Sequence, residues 1–395
     1  MADKKQIILV EPVLNGHRIT YLRYFAETFL KQGYRVHILA PENKELCYWL
    51  SGKNVEYLNH HLFELNKTTY TVLNTFRNSL NCWKQVGKFI RNNKFEPDLV
   101  ILMSMDTFNA SVHSSLKPAG LPIYMLLNRM VPLAVKHYLP YAWAGMYVGA
   151  NPNVCHVFMA DNNIAIGVLE EGFQFCNQRL NSKIISIPDI TDTNLGESRS
   201  RFENEVSERA VGRKVISLLG RIHSRKGVRT FLKTAELLKD DRRYFFVLAG
   251  EPVFESFTED EKGTLNQLTK GNQENIAVFA ERINDGHDFN SIIRCSDVLF
   301  AAYPNFTHSS NLLTKAAYFK KPIIVTEKTY MASVVEKYKL GISVRKKSPE
   351  DVIRAINELT RSLEVDEKLF DEYFRKNSPE AVDEAVRNIE KLMEL

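Results

Sequence analysis

The sequence predicts an α/β protein built from two doubly wound parallel-sheet domains. Short apolar runs alternate with longer helical patterns along both halves, and one polar stretch, 188–212, interrupts the alternation. The hydrophobic content, 44% of 395 residues, is enough for two full cores. Strand and helix in alternation imply a parallel sheet with helices on both faces and right-handed crossovers.

In the first half the apolar runs 6–10, 35–39, 55–58, 98–103, 121–127, 155–160 and 183–187 read as strands. Helical patterns fill 19–32 and 70–92. The first run follows a charged Met1–Lys5 and stops at Glu11-Pro12, too short for a signal-peptide core, so it reads as a buried strand. Pro188 then opens a turn-rich segment, Asp189-Ile-Thr-Asp-Thr-Asn-Leu-Gly-Glu-Ser-Arg-Ser, and 191–212 is expected to be a linker. Beyond it, strands are expected at 214–219, 244–249, 276–279, 297–302, 322–326 and 342–344. Helices are expected at 228–239, 259–269, 287–294, 311–318 and 331–338, and charged helices at 349–362, 367–375 and 379–393 close the sequence. The domains are therefore 1–190 and 213–377, with a terminal helix, 378–395, returning to the first. Doubly wound sheets bind ligands at the carboxyl ends of their strands, so the cleft between two such domains is the expected site.

Composition excludes several classes. No apolar run approaches the roughly 20 residues of a membrane span. Cys47, Cys82, Cys155, Cys176 and Cys295 are scattered with no C-x-x-C pair, which argues against a disulfide framework or zinc site and for a reducing cytoplasm. The net charge of +5 lies wholly in residues 1–190, with 19 Lys and Arg against 14 Asp and Glu; the remainder balances 33 against 33. A mildly basic half suits a solvated surface, an anionic acceptor or an anionic membrane face. Nucleic acid is not expected, because the excess is modest and no binding motif is present. The first strand is not followed by G-x-G-x-x-G, and no G-x-x-x-x-G-K-[ST] occurs, which argues against dinucleotide oxidoreductases and P-loop hydrolases.

Two segments carry chemistry. Gly220-Arg-Ile-His-Ser-Arg-Lys-Gly227 follows the strand 214–219 and precedes a helix. Arg221 and Lys226 there can neutralise a diphosphate, while Gly220 and Gly227 permit a tight turn. A solvated basic loop is the alternative, since Arg225 and Arg229 join the cluster. The second segment, 305–315, lies between a strand and a helix. Ser309, Ser310 and Asn311 are strong N-cap residues, and a helix N-terminus offers free amides and partial positive charge to a phosphate.

The stretch 215–227 resembles the G-R-x-x-x-x-K-G signature of GT-B, family-4-like glycosyltransferases (glycosyl transferases group 1). The likeness continues through Phe245-Phe-Val-Leu-Ala-Gly250, Asn275-Ile-Ala-Val-Phe-Ala-Glu-Arg282, Cys295-Ser-Asp-Val-Leu-Phe300 and Lys315-Ala-Ala-Tyr-Phe-Lys-Lys-Pro-Ile-Ile-Val325. Asn15-Gly16 and Gly33-Tyr-Arg-Val36 match more loosely. The resemblance implies a metal-independent transferase that takes sugar from a UDP-sugar, without a cofactor, with net retention. It implies that Arg221 and Lys226 bind the donor diphosphate and that the backbone of Arg282 and Ile283 meets the base. The amides of Ser310, Asn311 and Leu312 complete the phosphate cradle, and Gly16 lets the first loop approach the donor. The family's E-x7-E carboxylates are replaced by Thr307 and Lys315. Lys315 is then expected to add positive charge near the phosphates, and Thr307 or His308 to bond the sugar. Asn128 replaces a family histidine. These departures leave a second reading open, a catalytically weak or inactive nucleotide-sugar-binding partner protein.

An acceptor base is expected from the N-terminal domain, where His17 and Asp106 follow predicted strands. His17 as a loop-satisfying residue and Asp106 as an N-cap are the structural alternatives. The acceptor is expected to be a saccharide or lipid-linked saccharide. Aromatic residues crowd 137–147, and Arg77, Lys84, Lys88 and Arg91 line a helix that could rest on anionic lipid at the inner membrane face.

Overall fold

Each half of the chain pairs its buried apolar strands into a parallel sheet. The computed structural model describes residues 5–14, 18–53, 57–63, 72–94, 96–103, 123–127, 146–148, 154–157, 164–168, 174–175, 184–270, 274–306, 309–361 and 365–392. The chain divides into two units, Met1–Ile190 with Ser378–Leu395, and Thr191–Asn377.

The first unit holds β1 (Gln6–Val10), β2 (Arg35–Ala40), β3 (Leu58–Leu62), β4 (Leu99–Leu102), β5 (Ile123–Leu127), β6 (Met146–Val148), β7 (Val154–Val157), β8 (Ile164–Val168), β9 (Gln174–Phe175) and β10 (Ile184–Ser186). Seven of them form a parallel sheet in the order β10-β8-β5-β4-β1-β2-β3, and β6, β7 and β9 form a separate small sheet. Helices α1 (Arg18–Lys31), α2 (Lys44–Ser51) and α3 (Val72–Asn93) accompany them. The terminal helix Pro379–Leu392 belongs to this unit. Its Val382, Ala385, Val386 and Ile389 are buried in one core with Leu22, Phe25 and Phe29 of α1. Thr28 Oγ1 donates to Asp383 at 2.8 Å, and the Tyr34 hydroxyl donates to Glu390 at 2.7 Å.

The second unit holds β11 (Lys214–Leu219), β12 (Tyr244–Ala249), β13 (Ile276–Phe279), β14 (Val298–Ala301), β15 (Ile323–Thr326) and β16 (Gly341–Val344). All are parallel, in the order β13-β12-β11-β14-β15-β16. The order reverses between β11 and β14, which makes their carboxyl ends the topological switch point, where open α/β sheets bind ligands. The helices are α4 (Arg201–Ala210), α5 (Val228–Leu237), α6 (Glu259–Lys270), α7 (His287–Cys295), α8 (Asn311–Tyr318), α9 (Tyr330–Tyr338), α10 (Pro349–Arg361) and α11 (Glu367–Lys376). The two sheets share a device at their opposite ends. Asp98 takes the amide of Gln6 at 2.7 Å, and Asp297 takes the amide of Val215 at 2.8 Å. Each carboxylate thus fixes the start of a central strand.

The structure departs from the sequence reading at several elements, including the unexpected short strands β6 and β9. The expected linker contains α4, whose Phe202, Val206 and Ala210 recur at helical spacing and are buried, with Ser200 capping the helix by accepting from Glu203. The third strand spans Leu58–Leu62, where 55–58 was expected. Where the strand 155–160 was expected, Val154–Val157 belongs to the small sheet, and the large sheet instead uses Ile164–Val168. Helix α2 was not expected. Asn43 caps it by accepting from the amides of Glu45 and Leu46, and Leu46 and Trp49 are its buried residues. No helix among the described residues is long and apolar enough to cross a membrane.

Candidate functional site

The loops after β11 and β14 meet at the switch point of the second sheet. After Leu219 the chain keeps step with its neighbour: Gly220 donates to Ala249 at 3.0 Å, Ile222 to Glu251 at 2.9 Å, and Val253 back to Ile222 at 2.9 Å. This close pairing needs Gly250, because a Cβ there would stand 2.1 Å from the Gly220 carbonyl oxygen. The chain then makes a 3-10 turn, Ser224–Lys226, closed by Lys226 donating to the His223 carbonyl at 2.8 Å. His223 Nδ1 accepts from the Arg225 amide at 3.2 Å. Burial first, and then the cations Arg225, Arg221 and Lys226, hold its imidazole below the usual histidine range, which keeps that acceptor neutral.

Gly227 ends the turn with φ +72° and starts α5. A Cβ on it would lie 2.6 Å from the Ala302 carbonyl oxygen, just past the end of β14. The absence of a side chain therefore lets the two loops touch, and it fixes where the residue before it, Lys226, sits. Lys226 is half-buried, with Nζ 3.4 Å from the Leu219 carbonyl oxygen and 5.5 Å from the Tyr303 ring centroid. Burial, and then the cations Arg225 and Arg221, pull its pKa down to about 8. Arg221 is exposed beside it, and neither cation has an acidic partner among the described residues. Like charges held together without counter-charge are the electrostatic signature of an anion site.

The second wall is the N-terminus of α8. Ser310 caps it with φ −135°, its hydroxyl accepting from Leu312 at 3.4 Å and its carbonyl from Leu313 at 2.8 Å. The Asn311 amide donates to nothing among the described residues. A helix start with a free amide favours an anion. Arg282 and Ile283 lie in the loop after β13, and their peptide groups make no hydrogen bond among the described residues. The structure thus brings Gly220, Arg221 and Lys226 to one end of one sheet, with Ser309, Ser310, Asn311 and Leu312 on the loop and helix that follow β14.

Lys315 corrects an expectation. Its side chain is wholly buried, and Nζ lies 2.6 Å from the Asp192 carbonyl oxygen, 2.6 Å from Asn290 Oδ1 and 2.9 Å from Asp285 Oδ1. The ammonium is hydrogen-bonded to the first two and ion-paired with the Asp285 carboxylate. With no exposed surface and its charge met by Asp285, Lys315 serves the packing of α7, α8 and the segment at Asp192 rather than a phosphate. Lys315→Met should leave buried Asn290 and the Asp285 carboxylate without their partner and cost about 2 kcal/mol in chemical denaturation. A midpoint equal to the wild type would contradict this role.

Gly16, His17, Asp106, Asn128, Thr307 and His308 lie outside the described residues, as does the aromatic stretch 137–145. Three other residues escaped the sequence reading. Tyr303, 2% exposed, packs edge-on against Phe306. Its hydroxyl lies beside the Ser310 side chain, yet meets no partner in hydrogen-bond geometry among the described residues. Its place directly after an apolar strand was the available signal. Phe289 and Asp285, on and before α7, gave no such signal, because only the tertiary fold brings them to Gly220 and Lys315.

Comparison with known proteins agrees with this geometry. Residues 213–362 match the family model described as glycosyl transferases group 1. No curated protein matches the chain in sequence. Among solved structures, a glycosyltransferase from Rickettsia africae is similar at 15% identity, covering 99% of both chains with a TM-score of 0.66. HepE of Anabaena in complex with UDP is similar at 12% identity over 99% of this chain and 100% of that one, TM-score 0.67. An α,α-trehalose-phosphate synthase (UDP-forming) of Burkholderia vietnamiensis is similar at 11% identity over 99% and 100%, TM-score 0.66. At such identities the likeness is one of fold. The chain has the two parallel-sheet α/β domains of the GT-B fold, and its residues 213–362 are similar to glycosyl transferases group 1.

Proposed function

We propose that the protein transfers a sugar from a UDP-sugar to a saccharide or lipid-linked saccharide. The observation that carries the reading is the pair of unneutralised cations, Arg221 and Lys226, set opposite a helix N-terminus at the switch point of the second sheet. UDP is the nucleotide bound by the similar Anabaena protein and formed by the similar Burkholderia synthase. In the reaction, the bond between the anomeric carbon and the β-phosphate oxygen breaks, and an acceptor hydroxyl bonds to that carbon and releases its proton. Negative charge grows on the departing UDP. Arg221, Lys226 and the amides at Ser310, Asn311 and Leu312 stabilise it, so charge on the leaving group is met by protein cations and dipoles without a metal. The anomeric carbon passes through an oxocarbenium-like centre, and retention of configuration is the proposed outcome.

Gly16, Thr307 and His308 complete donor binding in this reading, the backbone of Arg282 and Ile283 meets the uracil, and His17, Asp106 and Asn128 act at the acceptor side. Exposed Arg77, Lys84, Lys88 and Arg91 form one stripe on α3, opposite buried Ser79, Cys82, Trp83 and Val86, which suits peripheral contact with anionic lipid. A thermal-shift screen of UDP, GDP, ADP and their sugars tests the donor, because a ligand that binds only the folded state raises its melting temperature. UDP and one UDP-sugar should raise it most. No response to any nucleotide would remove the reading.

A further inference from the structure

We propose that Asp285 is the carboxylate that receives the ribose hydroxyls of the bound nucleotide and so sets a preference for ribonucleotide donors. The inference rests on the second unit holding a nucleoside diphosphate at Lys226.

The argument begins with topology. Strand β13 lies at one edge of the sheet, and the next strand in sequence, β14, lies beyond β12 and β11. The connection from β13 through α7 to β14 therefore passes the carboxyl ends of β12 and β11. Asp285 stands on that connection, just before His287 opens α7. Phe289 links it to the phosphate loop. A Cβ on Gly220 would lie 4.0 Å from Phe289 Cε2 and 2.6 Å from Lys226 Nζ, and the ammonium of Lys315 is 5.4 Å from the Phe289 ring centroid. A line of contacts thus runs from Lys226 through Gly220 and Phe289 to Lys315 and Asp285.

The carboxylate is held and still available. Oδ1 is ion-paired with Lys315 Nζ at 2.9 Å and accepts from the Gly286 amide at 3.0 Å. The side chain is 26% exposed, and Oδ2 has no partner among the described residues. Asp285 is thus oriented by a fully buried ammonium, with one oxygen left to accept. A vicinal diol suits such an acceptor, and in dinucleotide-binding α/β folds a carboxylate near the switch point takes the ribose hydroxyl. Lys315 acts here as a positioning residue: it orients the acceptor and touches no ligand.

Calorimetric titration of the full chain with UDP, 2′,3′-dideoxy-UDP and pyrophosphate tests the assignment. The wild type should bind UDP on the order of tenfold or more tightly than the dideoxy nucleotide, the effect of one lost charge-assisted bond. Asp285→Asn should reduce that ratio to about two, with pyrophosphate affinity unchanged. If Asp285→Asn fails to fold, Asp285→Asn with Lys315→Gln removes both charges of the pair and should show the same lost ratio. A wild type that binds both nucleotides equally, or a variant that keeps the full ratio, overturns the role of Asp285 while leaving the diphosphate site standing. Failure of both UDP and pyrophosphate to bind sinks the proposed function, and this assignment with it.

Discussion

Lys226→Ala should lower kcat/KM for the donor by on the order of 10²- to 10³-fold, the range seen when one donor to a developing oxyanion is removed. Lys226 is held by packing: the turn before Gly227 fixes its backbone, and the Leu219 carbonyl and Tyr303 ring flank its ammonium. A group already in position needs no reorganisation as charge develops, so its loss falls on the transition state. The pH dependence supplies an independent signature. The free lysine has a pKa pulled down to about 8, so it loses its proton as pH rises through that value. UDP affinity should be flat from pH 7 to about 8 and then fall by up to tenfold per unit, until the raised pKa of the complex is passed.

Folding stability should move the other way. The unfolded lysine titrates near its usual value of 10.5, so the unfolded chain binds more protons between about pH 8 and 10.5. Stability gained from this group is complete above 10.5 and lost as pH falls through about 8. Lys226→Ala should abolish both dependences. A variant that keeps the pH profile of the wild type would show that another group is responsible.

The second large effect is expected at Gly250. A methyl group there meets the Gly220 carbonyl oxygen at 2.1 Å and its carbon at 2.6 Å, both backbone atoms of the loop that carries Arg221. Neither atom can rotate away, so Gly250→Ala must push the two loops apart. Overpacking and backbone strain together should cost about 3 kcal/mol. UDP binding should weaken as well, because the displaced Gly220 turn carries both cations with it. Denaturant midpoints and UDP titrations on the one variant check both halves. Unchanged stability and affinity in the Gly250→Ala variant would contradict the close pairing of these loops.

The second unit was legible because its strands are continuous apolar runs with turn residues at each end. Tyr244–Ala249 is wholly buried, as expected of a continuous apolar run inside a parallel sheet covered on both faces. The first unit was less legible. Ile164-Ala-Ile-Gly-Val168 carries small residues that weaken the strand signal, while the stronger-looking Val154–Val157 belongs to a small side sheet. Helix α4 hid its Phe202, Val206 and Ala210 among charged neighbours, so composition outweighed periodicity.

The site divided in the same way. The placement of Arg221, Lys226 and Ser310 was readable because local sequence fixes it: a strand end, a glycine-bounded turn and a cap. The burial of Lys315 was not readable. Its acceptors come from Asp192, Asp285 and Asn290, and no local pattern announces that they converge. The same holds for Asp285, whose neighbours are set by the crossing from β13 to α7.

The most direct measurement is a crystal structure of the full chain with UDP bound. The phosphates should rest against Lys226 Nζ and Arg221, with an oxygen facing the Asn311 amide at the start of α8. Phosphates located away from the carboxyl ends of β11 and β14, with Lys226 touching no ligand atom, would contradict the account.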